Sequence, residues 1–270
     1  MTDRDPRAPI GVFDSGLGGL TVVRALLDAL PNENLIYLGD TARVPYGTKS
    51  REAILRFAEE GSSFLLGKGI KLLVLACNTM SATALPELSS TVGVPVVGVI
   101  DPGVEEAIRI SAGGRIGVIG TSATINSQAY RRSIQARRPD WLVFSQACPL
   151  FVPLVEEGWE ESEVAVMTAR HYLAPVVAQG IDTLVLGCTH YPLLIPTLRR
   201  TIGSDIRIVD SATQTSREVR DLLVRMAMGN PDPTSPMRCY LTDIPPSFIG
   251  VADRFLGRPV THVERVSLPL

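Results

Sequence analysis

The chain has 270 residues, 45% of them hydrophobic, with 26 basic and 28 acidic side chains and a formal net charge of −2. This length fits one large or two small domains, and the mixed charge lacks the basic footprint of a nucleic-acid-binding protein. No apolar run reaches the roughly 18 residues of a membrane-spanning helix. Residues 1–9 carry alternating charges, unlike a signal peptide, so we expect a cytoplasmic protein with no membrane partner and no direct nucleic-acid binding.

Short apolar runs alternate with amphipathic stretches along the chain, a pattern that predicts parallel sheets covered by helices on both faces. The runs predicted as strands are Ile10–Phe13, Leu35–Leu38, Leu72–Ala76, Val94–Gly98, Arg115–Ile119, Leu142–Phe144, Thr183–Leu186 and Ile206–Val209. The stretches predicted as helices include Leu20–Ala29, Ser50–Lys68 and Val164–Ala178. In such α/β folds the ligand binds beyond the carboxyl ends of the strands.

A weak internal duplication divides the chain. The segment LLVLACNT at Leu72–Thr79 parallels TLVLGCTH at Thr183–His190, and Ile10–Gly16 loosely resembles Ile116–Thr121. Two related halves that face each other would set these motifs across a shared cleft. We therefore predict two pseudo-symmetric three-layer α/β domains with mostly parallel sheets and the active site in the cleft between them. The predicted first domain is residues 1–98 plus 210–270, and the second is residues 99–209.

Two cysteines stand at matching points of this duplication. Cys77 and Cys188 each follow an apolar strand and precede polar residues that could begin a helix, where the helix dipole lowers a thiol pKa. Inversion of a stereocentre needs one group to remove a proton and another to return one on the opposite face, and two opposed thiols can do this. A disulfide-exchange pair would more often be CxxC, which is absent, and ordinary burial is the usual role of a single free cysteine.

Polar residues near the thiols suggest supporting roles. Asp14 could orient or deprotonate Cys77, and His190, with a carboxylate such as Glu156, could do the same for Cys188. The turn Gly16–Gly19 lacks a nucleotide-binding pattern, so we expect its N–H groups to bind a carboxylate. The uncharged hydrogen-bonding residues expected to hold a small zwitterion are Ser15, Asn78, Thr79, Thr121, Thr124 and Thr189.

The composition argues against a cofactor or a metal. A pyridoxal mechanism needs a Schiff-base lysine, and the three lysines, Lys49, Lys68 and Lys71, stand in no recognisable phosphate-binding context. The three histidines do not occur at zinc-ligand spacing to a cysteine pair. We expect neither a cofactor nor a metal ion.

Six segments of the chain form a recognisable set: IGVFDSGLGGLTV at Ile10–Val22, YLGDTARVPYG at Tyr37–Gly47, LACNTMSA at Leu75–Ala82, GVIGTSAT at Gly117–Thr124, CPLFVPLVEEG at Cys148–Gly158 and LGCTHYPLL at Leu186–Leu194. Together they resemble the glutamate racemases of the aspartate/glutamate racemase family. They occur in family order, and the PYG segment is typical of glutamate racemases rather than of their aspartate-specific relatives. The last fifty or so residues carry no family motif.

The resemblance implies cofactor-independent conversion of L-glutamate to D-glutamate for peptidoglycan, hence a role in cell-wall biogenesis and cell shape, and commonly a homodimer. It implies Cys77 as the base toward D-glutamate and Cys188 as the base toward L-glutamate, supported by Asp14, His190 and Glu156. It adds substrate contacts at Pro45, Tyr46 and Gly47 to the six residues named above. The alternatives left open are a racemase for aspartate or another amino acid, and a catalytically silent amino-acid-binding protein.

Overall fold

Two parallel sheets form the framework of the computed structural model, which describes residues 5–232, 235–246 and 248–268. The strands are β1 (Ile10–Asp14), β2 (Leu35–Gly39), β3 (Leu72–Leu75), β4 (Val96–Gly98), β5 (Arg115–Gly120), β6 (Leu142–Ala147), β7 (Thr183–Gly187), β8 (Arg207–Asp210), β9 (Arg238–Leu241) and β10 (Val263–Arg265). The eight strands expected from the apolar runs are all present, within two residues at each end except at Leu142–Phe144, which extends to Ala147. The sequence did not predict β9 and β10.

The strand order repeats the internal duplication. The first sheet has the order β10-β9-β2-β1-β3-β4 and the second β6-β5-β7-β8, with parallel pairing throughout. In each sheet, the strand that precedes a reactive-cysteine candidate pairs with the first strand of its half: β3 with β1, and β7 with β5. The α/β prediction is confirmed. The first sheet uses residues 10–98 and 238–265 and the second residues 115–210, while the exact domain boundaries stay a prediction.

Helices cover the sheets. They are α1 (Leu20–Ala29), α2 (Arg51–Gly67), α3 (Asn78–Thr91), α4 (Ile100–Ile110), α5 (Ser122–Asn126), α6 (Ala129–Arg137), α7 (Phe151–Glu156), α8 (Glu163–Val177), α9 (Ile195–Ile202), α10 (Ser211–Met226) and α11 (Phe248–Leu256). Two 3₁₀ turns span Tyr46–Thr48 and Tyr191–Leu194. The helices α2, α5, α8 and α10 start directly after a capping side chain, at Ser50, Thr121, Ser162 and Asp210, that accepts a backbone N–H from the first turn.

The two sheets are joined by helix packing. Helix α10, which follows the last strand of the second sheet, packs against both α1 and α4, and α1 also packs against α11. One continuous apolar core therefore includes Val12 on β1, Leu186 on β7 and Phe255 on α11. Burial of this core holds the carboxyl ends of β1, β3, β5 and β7 near one another. None of the described helices is both long enough and apolar enough to cross a membrane.

Candidate active site

A cavity of about 350 Å³ lies where the carboxyl ends of β1, β3 and β7 meet. Both thiols reach it, and Cys77 and Cys188 are each 6% exposed. The residues that line it are Ser15, Gly16, Val44, Pro45, Tyr46, Gly47, Thr48, Cys77, Asn78, Thr79, Thr121, Ser122, Pro149, Val152, Pro153, Glu156, Cys188, Thr189 and His190. A cavity at the carboxyl ends of parallel strands is the usual ligand position in α/β folds.

All the predicted site residues except Asp14 and Thr124 line this cavity. Those two lie directly behind the lining, each 1% exposed. The Thr124 hydroxyl is 3.0 Å from that of Thr121 and 3.3 Å from that of Thr79, and the latter two hydroxyls are 2.9 Å apart. The three threonines, drawn from both halves of the chain, form one hydroxyl cluster at the cavity wall.

Cys77 occupies the N-cap position of α3. The hydroxyl of Ser15 and the backbone N–H of Met80 are hydrogen-bond donors that favour its thiolate. Burial and the negative charge of Asp14 outweigh them and raise the pKa of Cys77 to about 12. The helix N-terminus was predicted correctly, but the expected lowering of the thiol pKa is wrong for this cysteine. Cys77 therefore holds its proton at neutral pH.

Asp14 is buried at the end of β1 inside its own glycine-rich turn. The backbone N–H of Gly16 donates to Asp14 Oδ2 at 3.0 Å, and the Tyr37 hydroxyl lies 3.4 Å from the same oxygen. Burial raises the pKa of Asp14, while N–H groups of Gly19, Gly16 and Ser15 act in the opposite direction. The prediction that this turn binds a substrate carboxylate is thus corrected at Gly16, since its N–H is used by the protein's own carboxylate.

Cys188 has an imidazole neighbour instead. Its Sγ lies 3.8 Å from Nδ1 of His190, and Nε2 of that ring lies 3.0 Å from Oε1 of Glu156. Burial alone would lower the pKa of His190, but its hydrogen bonds and charge interactions with Cys188 and Glu156 raise it to about 10. The ring is therefore an imidazolium at neutral pH, with the Cys188 sulfur on one side and the Glu156 carboxylate on the other. No α-helix starts at Cys188, since a 3₁₀ turn begins at Tyr191.

The first glycine-rich turn presses against the Cys188 loop. A Cβ atom added at Gly18 would lie 2.4 Å from both His190 Nδ1 and Thr189 Oγ1, so only glycine fits there. The hydroxyl of Thr21 lies 3.0 Å from the carbonyl oxygen of Thr189. This contact between the halves fixes the distance between the Asp14 turn and the His190 ring.

The Pro45–Gly47 segment forms another wall. Tyr46 is almost fully buried, and its hydroxyl hydrogen bonds to the carboxylate of Asp40, which also accepts from Arg43 Nε at 2.6 Å. Burial and the charge of Asp40 raise the pKa of Tyr46 above its ordinary value, so the hydroxyl stays neutral. Because its single proton is engaged by Asp40, Tyr46 shapes the wall rather than donating a hydrogen bond to a ligand.

Sequence reasoning missed the contribution of α11. The Phe255 ring packs edge-on against His190 with centroids 5.0 Å apart. Arg254 Nη2 donates to the carbonyl oxygens of Glu156 at 2.9 Å and Val155 at 3.1 Å. The helical spacing of the apolar residues of α11 could have predicted a packed helix, but no motif connects it with a site residue almost 100 positions earlier.

Metal and cofactor ligands are not concentrated here. Within the described residues, no group of three or more His, Cys, Asp or Glu side chains is arranged to hold a metal ion. Lys71 is buried away from the cavity lining, in an ion pair with Glu33 at 2.6 Å. The donor set that surrounds the cavity is suited to proton transfer and to hydrogen bonding of an anion.

Comparison with known proteins agrees with this chemistry. The profile of the family described as Asp/Glu/Hydantoin racemase matches residues 10–219. A glutamate racemase from Geobacter metallireducens is 51% identical over 264 residues, 97% of this chain and 98% of the relative. Another glutamate racemase, from Syntrophus aciditrophicus, is 52% identical over 96% of this chain and 97% of its own length.

Solved structures show the same fold. The glutamate racemase of Bacillus anthracis superposes with a TM-score of 0.94 at 38% identity, covering 98% of this chain and 99% of that one. The glutamate racemase of Francisella tularensis, solved in complex with D-glutamate, gives a TM-score of 0.92 at 40% identity over 97% of this chain and 98% of its own. The predicted enzyme class, an amino-acid racemase, is confirmed. From its profile match, its near-full-length relatives and its fold, this chain belongs to the Asp/Glu/Hydantoin racemase family.

Proposed function

We propose that this racemase interconverts L- and D-glutamate without a cofactor, by proton transfer between Cys188 and Cys77. One observation carries the proposal: two equally buried thiols, contributed by different sheets, line the same cavity. Their neighbours differ in charge: burial and Asp14 raise the pKa of Cys77 to about 12, whereas Cys188 lies beside the His190 imidazolium. A two-base racemase needs one acid and one base, and we propose Cys77 as the acid and Cys188 as the base toward L-glutamate.

The chemical step follows from these states. Starting from L-glutamate, the Cys188 thiolate removes the α-proton, and the Cys77 thiol delivers its own proton to the opposite face of the α-carbon. The products of the step are D-glutamate, a Cys188 thiol and a Cys77 thiolate. In the reverse direction Cys77 is the base, and Asp14 and His190, the latter held by Glu156, adjust the two thiols as positioning residues.

Polar groups at the cavity wall support recognition of a substrate with two carboxylates. The amide nitrogen of Asn78 is buried and has no hydrogen-bond partner within the described residues. The cluster of Thr79, Thr121 and Thr124 presents hydroxyls that can donate or accept. We propose that these groups, with Ser15 and Thr189 and the wall formed by Pro45, Tyr46 and Gly47, bind glutamate. The relatives that match over nearly their full length are glutamate racemases, which supports glutamate rather than aspartate as the substrate of this chain.

The wider role is also a proposal. Production of D-glutamate would supply peptidoglycan synthesis in the cytoplasm, as the family resemblance implies. A homodimer is supported by an apolar surface formed by α8 and by the residues that flank α7, where Leu150, Trp159, Val164 and Met167 are each about half exposed or more. Analytical ultracentrifugation measures the dimer directly. We also propose domain boundaries at residues 98/99 and 209/210, so that the cavity lies between the two domains.

Circular dichroism of glutamate tests the function. Purified protein, treated with a chelator and supplied with no cofactor, should bring the ellipticity of either pure enantiomer to zero. Parallel reactions with L- and D-aspartate identify the substrate, and we expect much slower conversion of these. If the glutamate signal stays constant while aspartate racemises, the assignment of glutamate as the substrate is wrong. If both signals stay constant while calorimetry detects binding, the protein is an amino-acid-binding protein and the proposal fails.

A further inference from the structure

A buried tyrosine outside the cavity lining connects the two thiol-bearing loops. Tyr130 on α6 is 2% exposed, and its hydroxyl lies 2.6 Å from Oδ1 of Asn78, the residue after Cys77. A Cβ atom added at Gly187, the residue before Cys188, would lie 3.1 Å from Cε2 of the same ring. Tyr130 therefore touches the chain next to both cysteines, although it belongs to the half built on the second sheet.

The hydrogen bond between Tyr130 and Asn78 has one direction, because the phenol O–H donates to the amide oxygen Oδ1. Burial raises the pKa of Tyr130 well above its ordinary value, so the phenol keeps this proton. The single phenol proton is then directed to Asn78, where only Oδ1 can accept it. This arrangement fixes which end of the side-chain amide faces Tyr130.

The other end of the amide faces the substrate region. Asn78 is 2% exposed and lines the cavity, and its Nδ2 is a buried donor with no partner within the described residues. A buried amide nitrogen is unfavourable unless it finds an acceptor, so its place at the cavity wall indicates an acceptor on a ligand. A carboxylate accepts such a bond, whereas an ammonium group cannot.

We propose that Tyr130 is a positioning residue that holds the Asn78 amide with its NH₂ group toward the cavity, so that this point of the site binds a carboxylate of the substrate. The inference deepens the proposed glutamate racemisation and rests on it for the identity of the substrate. Without the phenol hydroxyl, rotation of the amide by half a turn would present Oδ1 to the cavity and repel the carboxylate. Tyr130 itself does not touch the reacting atoms.

A double-mutant cycle tests this coupling. The four proteins are the wild type, Tyr130→Phe, Asn78→Ala and the double variant, with KM, kcat and the calorimetric Kd for L-glutamate measured for each. We expect Tyr130→Phe to raise KM and Kd about tenfold with a much smaller change in kcat, as for loss of one hydrogen bond to a charged group. In the Asn78→Ala background the same substitution should have no further effect. Tyr172→Phe, which removes a hydroxyl that accepts from Leu150 N at 3.4 Å on the same half, is the matched control and should leave KM unchanged.

The outcomes separate this inference from the proposed function. Suppose that the wild type racemises glutamate but Tyr130→Phe weakens binding equally with and without the Asn78 amide. Tyr130 then has only a structural role, and this inference fails while the proposed function stands. Unchanged binding by Tyr130→Phe also overturns it. If the wild type binds glutamate without racemising it, the proposed function fails while the Kd cycle still decides the role of Tyr130. Thermal unfolding of all variants verifies that each is folded.

Discussion

The surroundings of the two thiols differ more than their positions do. Cys77 and Cys188 follow equivalent strands, have equal exposure and line one cavity. The Cys77 side holds a buried carboxylate, Asp14, whereas the Cys188 side holds an imidazole bonded to Glu156. The duplicated fold thus explains why two thiols reach one cavity. Their neighbours are not duplicated, so each thiol has surroundings of a different charge.

This difference has a direct consequence for the resting enzyme. Burial and the negative charge of Asp14 both disfavour a thiolate at Cys77, so this thiol keeps its proton. The positive charge on the Cys188 side is that of the His190 imidazolium. We therefore expect the resting enzyme to be prepared for L-glutamate, with Cys188 as the base and Cys77 as the acid.

The largest expected effect comes from removal of either thiol. Cys77→Ser or Cys188→Ser replaces a thiol with a much weaker acid, so we expect kcat for racemisation to fall by about 10²–10⁴-fold or more. Glutamate binding by calorimetry should persist in both variants. The control is Cys239→Ala, which changes a buried cysteine outside the cavity and should remain active. Racemisation by either serine variant at near the wild-type rate would remove that thiol from the mechanism.

Alkylation at neutral pH compares the two thiols directly. The thiolate is the nucleophile and the pKa of Cys77 is raised to about 12, so iodoacetamide should modify Cys77 at least about tenfold more slowly than Cys188, despite their equal exposure. Peptide mass spectrometry over time measures both rates in one sample. His190→Asn removes the imidazolium and should slow labelling of Cys188 while leaving Cys77 unchanged. Faster labelling of Cys77 would reverse the assigned resting states.

The carboxylate on the Cys188 side can be neutralised without loss of the imidazole. Glu156→Gln removes a charge 3.0 Å from Nε2, so the pKa of His190 should fall from about 10 toward its ordinary range. Nuclear magnetic resonance titration of the three histidine rings measures this, with His171 and His262 as internal controls. An unchanged His190 titration would show that Glu156 does not set the charge of the ring.

The same pair predicts how stability depends on pH. Because the folded-state pKa of His190 is raised, its contribution to stability is complete below pH about 6.5 and is lost as the pH rises through about 10. Urea unfolding across this range should show a smaller loss in Glu156→Gln than in the wild type. Equal pH dependence in the two proteins would show that Glu156 does not raise the pKa of His190.

The smallest effect is expected at Arg254, which holds the backbone of Glu156. Arg254→Ala removes hydrogen bonds to two carbonyl groups, so we expect kcat to fall by about three- to tenfold, as for one or two ordinary hydrogen bonds. Arg258→Ala, which breaks a surface ion pair with Asp28, is the matched control and should leave kcat unchanged. Equal kinetics in the two variants would show that α11 does not support the Cys188 side.

The sequence predicted the parts of the fold that repeat a simple pattern. Buried parallel strands are continuous apolar runs, so β1, β3, β5 and β7 and the thiols at the ends of two of them could be located. The role of α11 could not be predicted, because Phe255 contacts His190 through tertiary packing that leaves no local signal in the sequence. The helix position of Cys77 was correct, but its pKa depends on burial and on Asp14, which a pattern along the chain does not quantify.

Deuterium incorporation shows whether different thiols act on the two faces of the substrate. L-Glutamate is converted in D₂O, and the α-position of both enantiomers is analysed before the reaction has progressed far. A proton returned by the same monoprotic thiol that removed it would be the original one, whereas the opposite thiol donates a solvent-derived deuteron. We predict that the D-glutamate formed carries deuterium while the remaining L-glutamate keeps its proton. Deuterium appearing in both enantiomers at similar rates would indicate a single exchanging base and would contradict proton transfer between two thiols.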